Sequence, residues 1–130
     1  MTTLIYTEEA IRELFNSAVN KTLPPGFNDW GLRDKYGWTI AHEAAVTGAL
    51  PDDFDQWELV SKYGITVAHV AASLNKLPPG FDRWGITDKT GTTVAHTAVR
   101  CGTLPKDFSR WELTDINGVT VKEEFEKHKK

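Results

Sequence analysis

The feature that most limits how this chain can fold is a text that returns every 27 residues with no insertion or deletion. Gly37-Trp38-Thr39-Ile40-Ala41-His42-Glu43-Ala44-Ala45 recurs as Gly64 to Ala72 and as Gly91 to Val99, in the form G-x-T-[IV]-A-H-x-A-[AV]. Trp30, Trp57, Trp84 and Trp111 keep the same step, as do Phe27, Phe54, Phe81 and Phe108. A period of this length means that one small supersecondary unit is copied, and that each copy buries its apolar side on the next. Residues that hold still from unit to unit therefore serve the stack, and residues that change are released from it.

Composition narrows the classes of partner. At 130 residues, 40% hydrophobic and 25% charged, the chain suits one domain, 1–130. A formal net charge of -3 argues against nucleic acid, whose phosphates are bound by clustered Lys and Arg. Cys101 is the only cysteine, so no internal disulfide can form. No apolar run approaches the ~20 residues of a membrane span, and the opening Met-Thr-Thr-Leu-Ile-Tyr-Thr lacks a charged region before an apolar core. The expected location is the cytoplasm, with no membrane partner.

Along the chain, residues 8–20 predict a helix with Thr7 as N-cap, Glu8 and Glu9 at the positive end of its dipole, and Ile11, Leu14, Phe15 and Ala18 on one face. It lacks the His and the Ala pair of the later copies, so 1–22 reads as an N-terminal cap. Repeats follow at about 23–49, 50–76 and 77–103. Within each, Leu-Pro-x-x-Phe-x-x-Trp predicts a short helix with proline in its first turn and an inward Leu/Phe/Trp stripe. The Trp column is assigned to the core.

An Asp-x-x-Gly turn comes next, at Asp34–Gly37, Asp88–Gly91 and Asp115–Gly118, with Ser61 as the weaker acceptor in the second copy. Thr39, Thr66, Thr93 and Thr120 sit where N-caps belong, and Gly48, Asn75 and Gly102 where helices stop. A doubled period overlies the first: Pro-Pro-Gly at 24–26 and 78–80 alternates with Pro51-Asp52-Asp53 and Pro105-Lys106-Asp107. The acid-bearing units are expected to form the better short helix, because Asp in a first turn complements the dipole. Residues 104–130 make a C-terminal capping repeat, where Thr120-x-x-Glu123 is a capping box and the rest of the helix is polar.

The stretch Asp34 to Gly48 resembles the first half of an ankyrin repeat, D-x-x-G-x-T-P-L-H-x-A-A-x-x-G, and three copies carry it. It departs in having Ile40-Ala41, Val67-Ala68 or Val94-Ala95 for Pro-Leu, and in a period about six residues shorter than the usual ~33. The resemblance implies an all-α, ankyrin-like helical repeat solenoid with short outer helices and turn tips between repeats, similar to compact ankyrin-type proteins of bacteria or phage. It also implies that His42, His69 and His96 hydrogen-bond their own Thr caps and the adjoining turn.

Three histidines with Glu43 nearby raise a metal reading. Metal ligands lie ~2 Å from their ion, whereas equivalent residues of stacked units lie ~8–10 Å apart, so the histidines are assigned to structure and no cofactor is expected. There is no Gly-x-Ser-x-Gly, no His-Glu-x-x-His and no phosphate loop. Cys101 reads as a packed or surface cysteine rather than a reactive thiol.

Proteins of the ankyrin type bind through turn tips and the open face of the inner helices. Here that surface comprises Lys35, Tyr36, Trp38, Val46 and Thr47, then Lys62, Tyr63, Ile65, Ser73 and Leu74, then Lys89, Thr90, Thr92, Arg100 and Cys101, and last Ile116, Asn117 and Val119. Its apolar and aromatic members gather in the first two units, as expected of a contact site. Trp38 has an alternative, folding back over its own turn and the N-terminal cap. The expectation is a non-catalytic protein-protein interaction module, monomer or homodimer, with an inhibitor, immunity or host-interaction role. The alternatives are an enzyme whose site is assembled between repeats, and a nucleic-acid binder acting through the Lys35/Lys62/Lys89 line.

Overall fold

Threonine opens the repeated helices as the spacing predicts. The hydroxyls of Thr39, Thr66 and Thr93 accept the backbone N–H of His42, His69 and His96, and start helices α2 (Ile40–Thr47), α3 (Val67–Ser73) and α4 (Val94–Cys101). Thr7 does the same for α1 (Glu8–Asn20), and Thr120 and Glu123 cap α5 (Val121–His128) reciprocally, each receiving the other's N–H. Gly48 and Gly102 end α2 and α4 in the left-handed region, and Asn75 follows α3 at φ 59. The computed structural model describes residues 7–24, 26–51, 54–78 and 80–128. The expectations placed on the opening 1–6, on Pro25 and Pro79, on Asp52 and Asp53, and on Lys129 and Lys130 lie outside the described residues.

Among the described residues the protein is all-α, with five short helices, each packed on the next and none reaching past its neighbour. This is the arrangement of a helical repeat. Alanine makes the close approach possible: Ala41, Ala44, Ala68, Ala71, Ala95 and Ala98 are fully buried, with Ile40, Val67, Val94 and Val121 filling between helices. Two hydroxyls tie neighbours directly, Thr47 Oγ1 donating to Ala18 O at 2.9 Å and Thr103 Oγ1 to Ala72 O.

Among the described residues the short outer helices are not there. Each Leu-Pro-x-x-Phe-x-x-Trp segment instead crosses the unit in two separate turns, closed by bonds such as Phe54 N–H to Pro51 O and Leu59 N–H to Gln56 O, both i+3 to i. The acid-bearing segment at Pro105-Lys106-Asp107 is no exception, with one turn from Phe108 N–H to Pro105 O. Two causes act together. A segment this short cannot offset the cost of helix nucleation, and in the first and third units Gly26 and Gly80 stand at φ +77 and +80, outside the helical region. Trp30 O accepts Ala41 N–H and Leu32 O accepts Ile40 N–H, a pattern repeated in the three later units, so these carbonyls satisfy the first free N–H groups of α2 to α5.

The inward stripe survives without the helix. Phe27, Trp30, Phe54, Trp57, Phe81, Trp84, Phe108, Trp111 and Phe125 form one continuous column in which every neighbouring pair of rings meets edge to face, 4.9–5.3 Å between centroids. Trp30, Trp57 and Trp84 are buried, in agreement with their assignment to the core. Two open clefts lie on this side. One lies between the segments 23–30 and 49–56 and the other between 77–84 and 103–110, each of about 500 Å³.

Candidate functional site

At each turn tip an acidic or hydroxyl side chain folds the backbone over itself. Asp34 Oδ1 accepts the N–H of Tyr36 at 2.9 Å and of Trp38 at 3.1 Å, and Asp88 and Asp115 repeat this. Ser61 Oγ takes the same two bonds at 3.2 and 3.4 Å, the longer version its shorter side chain predicts. Below each tip one antiparallel bridge closes the turn, from Arg33 to Thr39 in the first unit and at the equivalent pairs in the others.

Tips then stack through the backbone. Gly37 O accepts Lys62 N–H at 3.0 Å, Gly64 O accepts Lys89 N–H at 3.2 Å, and Gly91 O accepts Ile116 N–H at 3.1 Å. Glycine is required here twice over: φ is +79 at Gly37, and a Cβ on it would fall 2.3 Å from Lys62 Cβ. Arg33, which the repeat comparison did not single out, clamps the first joint by donating Nη1 to Gly37 O and Nη2 to Val60 O at 2.8 Å. The signal was present, since the other units have Val60, Thr87 and Thr114 at that position.

Beneath the tips the histidines join units. His42 Nε2 lies 2.7 Å from Ile65 O, His69 Nε2 2.8 Å from Thr92 O, and His96 Nε2 2.8 Å from Val119 O; each Nδ1 meets its own cap hydroxyl. A carbonyl only accepts, so Nε2 carries the proton and Nδ1 accepts from threonine. Both ring nitrogens are thus occupied, which is the structural role given to them. Burial holds His42 and His69 below the ordinary imidazole pKa; the carbonyl bonds oppose this in part, and Arg33 adds to it at His42. No group of three or more His, Cys, Asp or Glu among the described residues is placed to hold a metal ion.

The expected surface residues separate into two sets. Lys35, Tyr36, Lys62, Tyr63 and Ile65 stand exposed on consecutive tips, Tyr36 and Tyr63 at 63% and 60%, and Val46 and Leu74 are exposed at the helix ends. Lys35 and Lys62 each lay Nζ near the ring of the following tyrosine, 5.2 and 6.0 Å from its centroid. Trp38 and Thr47 are occupied by the stack instead, and Arg100 is exposed but paired across to the next helix. Trp38 is half-buried against the core with its ring 4.7 Å from that of His42; Thr47 bonds Ala18 O; and Arg100 pairs at 3.3 Å with Glu124, whose side chain is nearly buried. Beside the first tip, an open groove of about 500 Å³ runs between Ile11, Arg12 and Phe15 of α1 and Arg33, Lys35 and Tyr36. Its α1 wall was not anticipated.

No protein-family model matches the chain, and no curated protein matches it. No helix among the described residues is long and apolar enough to cross a membrane.

Proposed function

We propose that this protein is a non-catalytic, ankyrin-type binding module of a single domain, and that it engages a protein partner through the tips and helix ends of its first two repeats. The observation that carries the reading is the pair Tyr36 and Tyr63, more than half exposed on adjacent tips whose backbones are hydrogen-bonded to each other. Aromatic side chains held on a fixed scaffold lose little entropy on binding and dominate contact energies. Ile65, Val46 and Leu74 extend the apolar surface around them. An inhibitor, immunity or host-interaction role in a bacterial or phage setting fits so small a scaffold. Capture of partners from a lysate by wild type and by a Tyr36→Ala, Tyr63→Ala double variant tests it. Both substitutions lie outside the stack, so the variant keeps its fold, and equal recovery by the two proteins would refute the reading.

A further inference from the structure

The tip edge carries a charge opposite to that of the molecule. Lys35, Lys62 and Lys89 occupy one position on three successive tips, all exposed, and none forms an ion pair among the described residues. Arg33 adds a fourth cation, whose guanidinium donates to two neutral carbonyls, Gly37 O and Val60 O. The carboxylates nearest in sequence, Asp34 and Asp88, turn an oxygen inward onto backbone N–H groups of their own turns. Between them stands Ser61, where the first, third and fourth units have Asp. The middle tip performs the same turn chemistry without an anion, so Lys62 is the least compensated cation on the edge. Its Nζ lies 6.0 Å from the Tyr63 ring centroid, and Tyr36, Tyr63 and Ile65 expose apolar surface on the same two tips.

We infer that this edge receives an acidic segment of a protein partner, glutamates or aspartates interrupted by apolar residues, centred on Lys62. The inference rests on the protein-binding reading above and names the partner's chemistry. Lysine ammoniums held near tyrosine rings present charge and apolar contact together, which suits a mixed acidic and apolar peptide. A nucleic acid fits less well. Its phosphates recur along its whole length and would meet the acidic remainder of a chain of net charge -3, while a short segment feels only charges within ~8–10 Å.

Fluorescence anisotropy with three labelled probes tests this: a peptide of glutamates broken by two leucines, the same peptide with lysine for each glutamate, and an oligothymidylate of equal length. The acidic peptide should bind with a salt-sensitive affinity, the lysine peptide should not, and the oligothymidylate should bind at least about tenfold more weakly. Lys62→Glu should weaken the acidic peptide about tenfold. Ser61→Asp should weaken it about threefold while leaving the fold intact, because Asp does the same work in three other units. No binding of the acidic peptide, tighter binding of the oligothymidylate, or indifference to both substitutions overturns the inference. Lysate capture separates the two levels: loss of capture on removing Tyr36 and Tyr63, with no acidic-peptide binding, leaves the protein-binding reading standing and this one refuted.

Discussion

The aromatic column and the turn-tip edge both run the length of the stack, and they are built on opposite plans. In the column every unit supplies the same Phe and Trp, and side chains do all the joining, ring edge against ring face. At the edge the backbone does the joining at every step, through a glycine carbonyl and the N–H of the next tip, with one side chain, Arg33, added at the first joint, and the other tip side chains are left to vary. Where side chains carry the stack they cannot change, and where the backbone carries it they can. A repeat protein can therefore place its individual features on the tips without disturbing its interior.

The largest test of this contrast is Trp57→Ala. Trp57 is buried in the middle of the column between Phe54 and Phe81, and its removal should cost about 4 kcal/mol in urea denaturation. Trp111 is half-buried near the end of the column, so Trp111→Ala should cost about half as much. Both rings have two ring neighbours, so equal losses would mean that those contacts and not burial set the cost along the column.

Much of this was legible before the fold was known, and what was missed has a common cause. Cap chemistry is local: a threonine three residues before a histidine, and a glycine at the helix end, state where a helix begins and stops. The outer segment was misread as helix because apolar residues at i, i+4 and i+7 over eight positions are satisfied equally by two turns that face one way. Trp38, Thr47 and Arg100 looked released from the stack because they do not recur. Each is instead used once, against His42, Ala18 and Glu124, and a contact made in a single unit leaves no periodic trace. Arg33 differs in the same way from Val60, Thr87 and Thr114, and its departure marks the clamp at the first joint.

The edge has its own break point, and two glycines separate its components. Gly64 and Gly118 both stand near φ +78, so alanine at either meets the same left-handed strain of about 1 kcal/mol. At Gly64 the new Cβ would also lie 2.5 Å from Lys89 Cδ and 2.7 Å from its Cβ, whereas at Gly118 nothing lies within 4 Å. Gly64→Ala should therefore cost about 3 kcal/mol against about 1 for Gly118→Ala. The difference measures how tightly consecutive tips are stacked, and similar values for both variants would show that the tips are joined loosely.

Between column and edge lies the histidine ladder, whose contribution depends on pH and gives the smallest of the three effects. His42 and His69 are held neutral by burial, with pKa below the ordinary value of 6.5. As pH falls below 6.5 the unfolded chain takes up protons at these positions before the folded protein does. Their contribution is then fully present above 6.5 and is lost as pH drops through the lowered values. Urea denaturation at about pH 7.5 and about pH 5.5 should show the protein less stable at the lower pH, well above the region where Asp88, itself held below the ordinary carboxylate value by bonds from Thr90 and Thr92, begins to titrate. A His42→Gln, His69→Gln variant should be less stable at both pH values and should change less between them, because glutamine leaves a carbonyl of the next unit poorly matched but has no proton to gain. If the variant kept the full pH dependence of the wild type, the buried rings would not be its source, and the ladder would be a set of hydrogen bonds with no titration behind it.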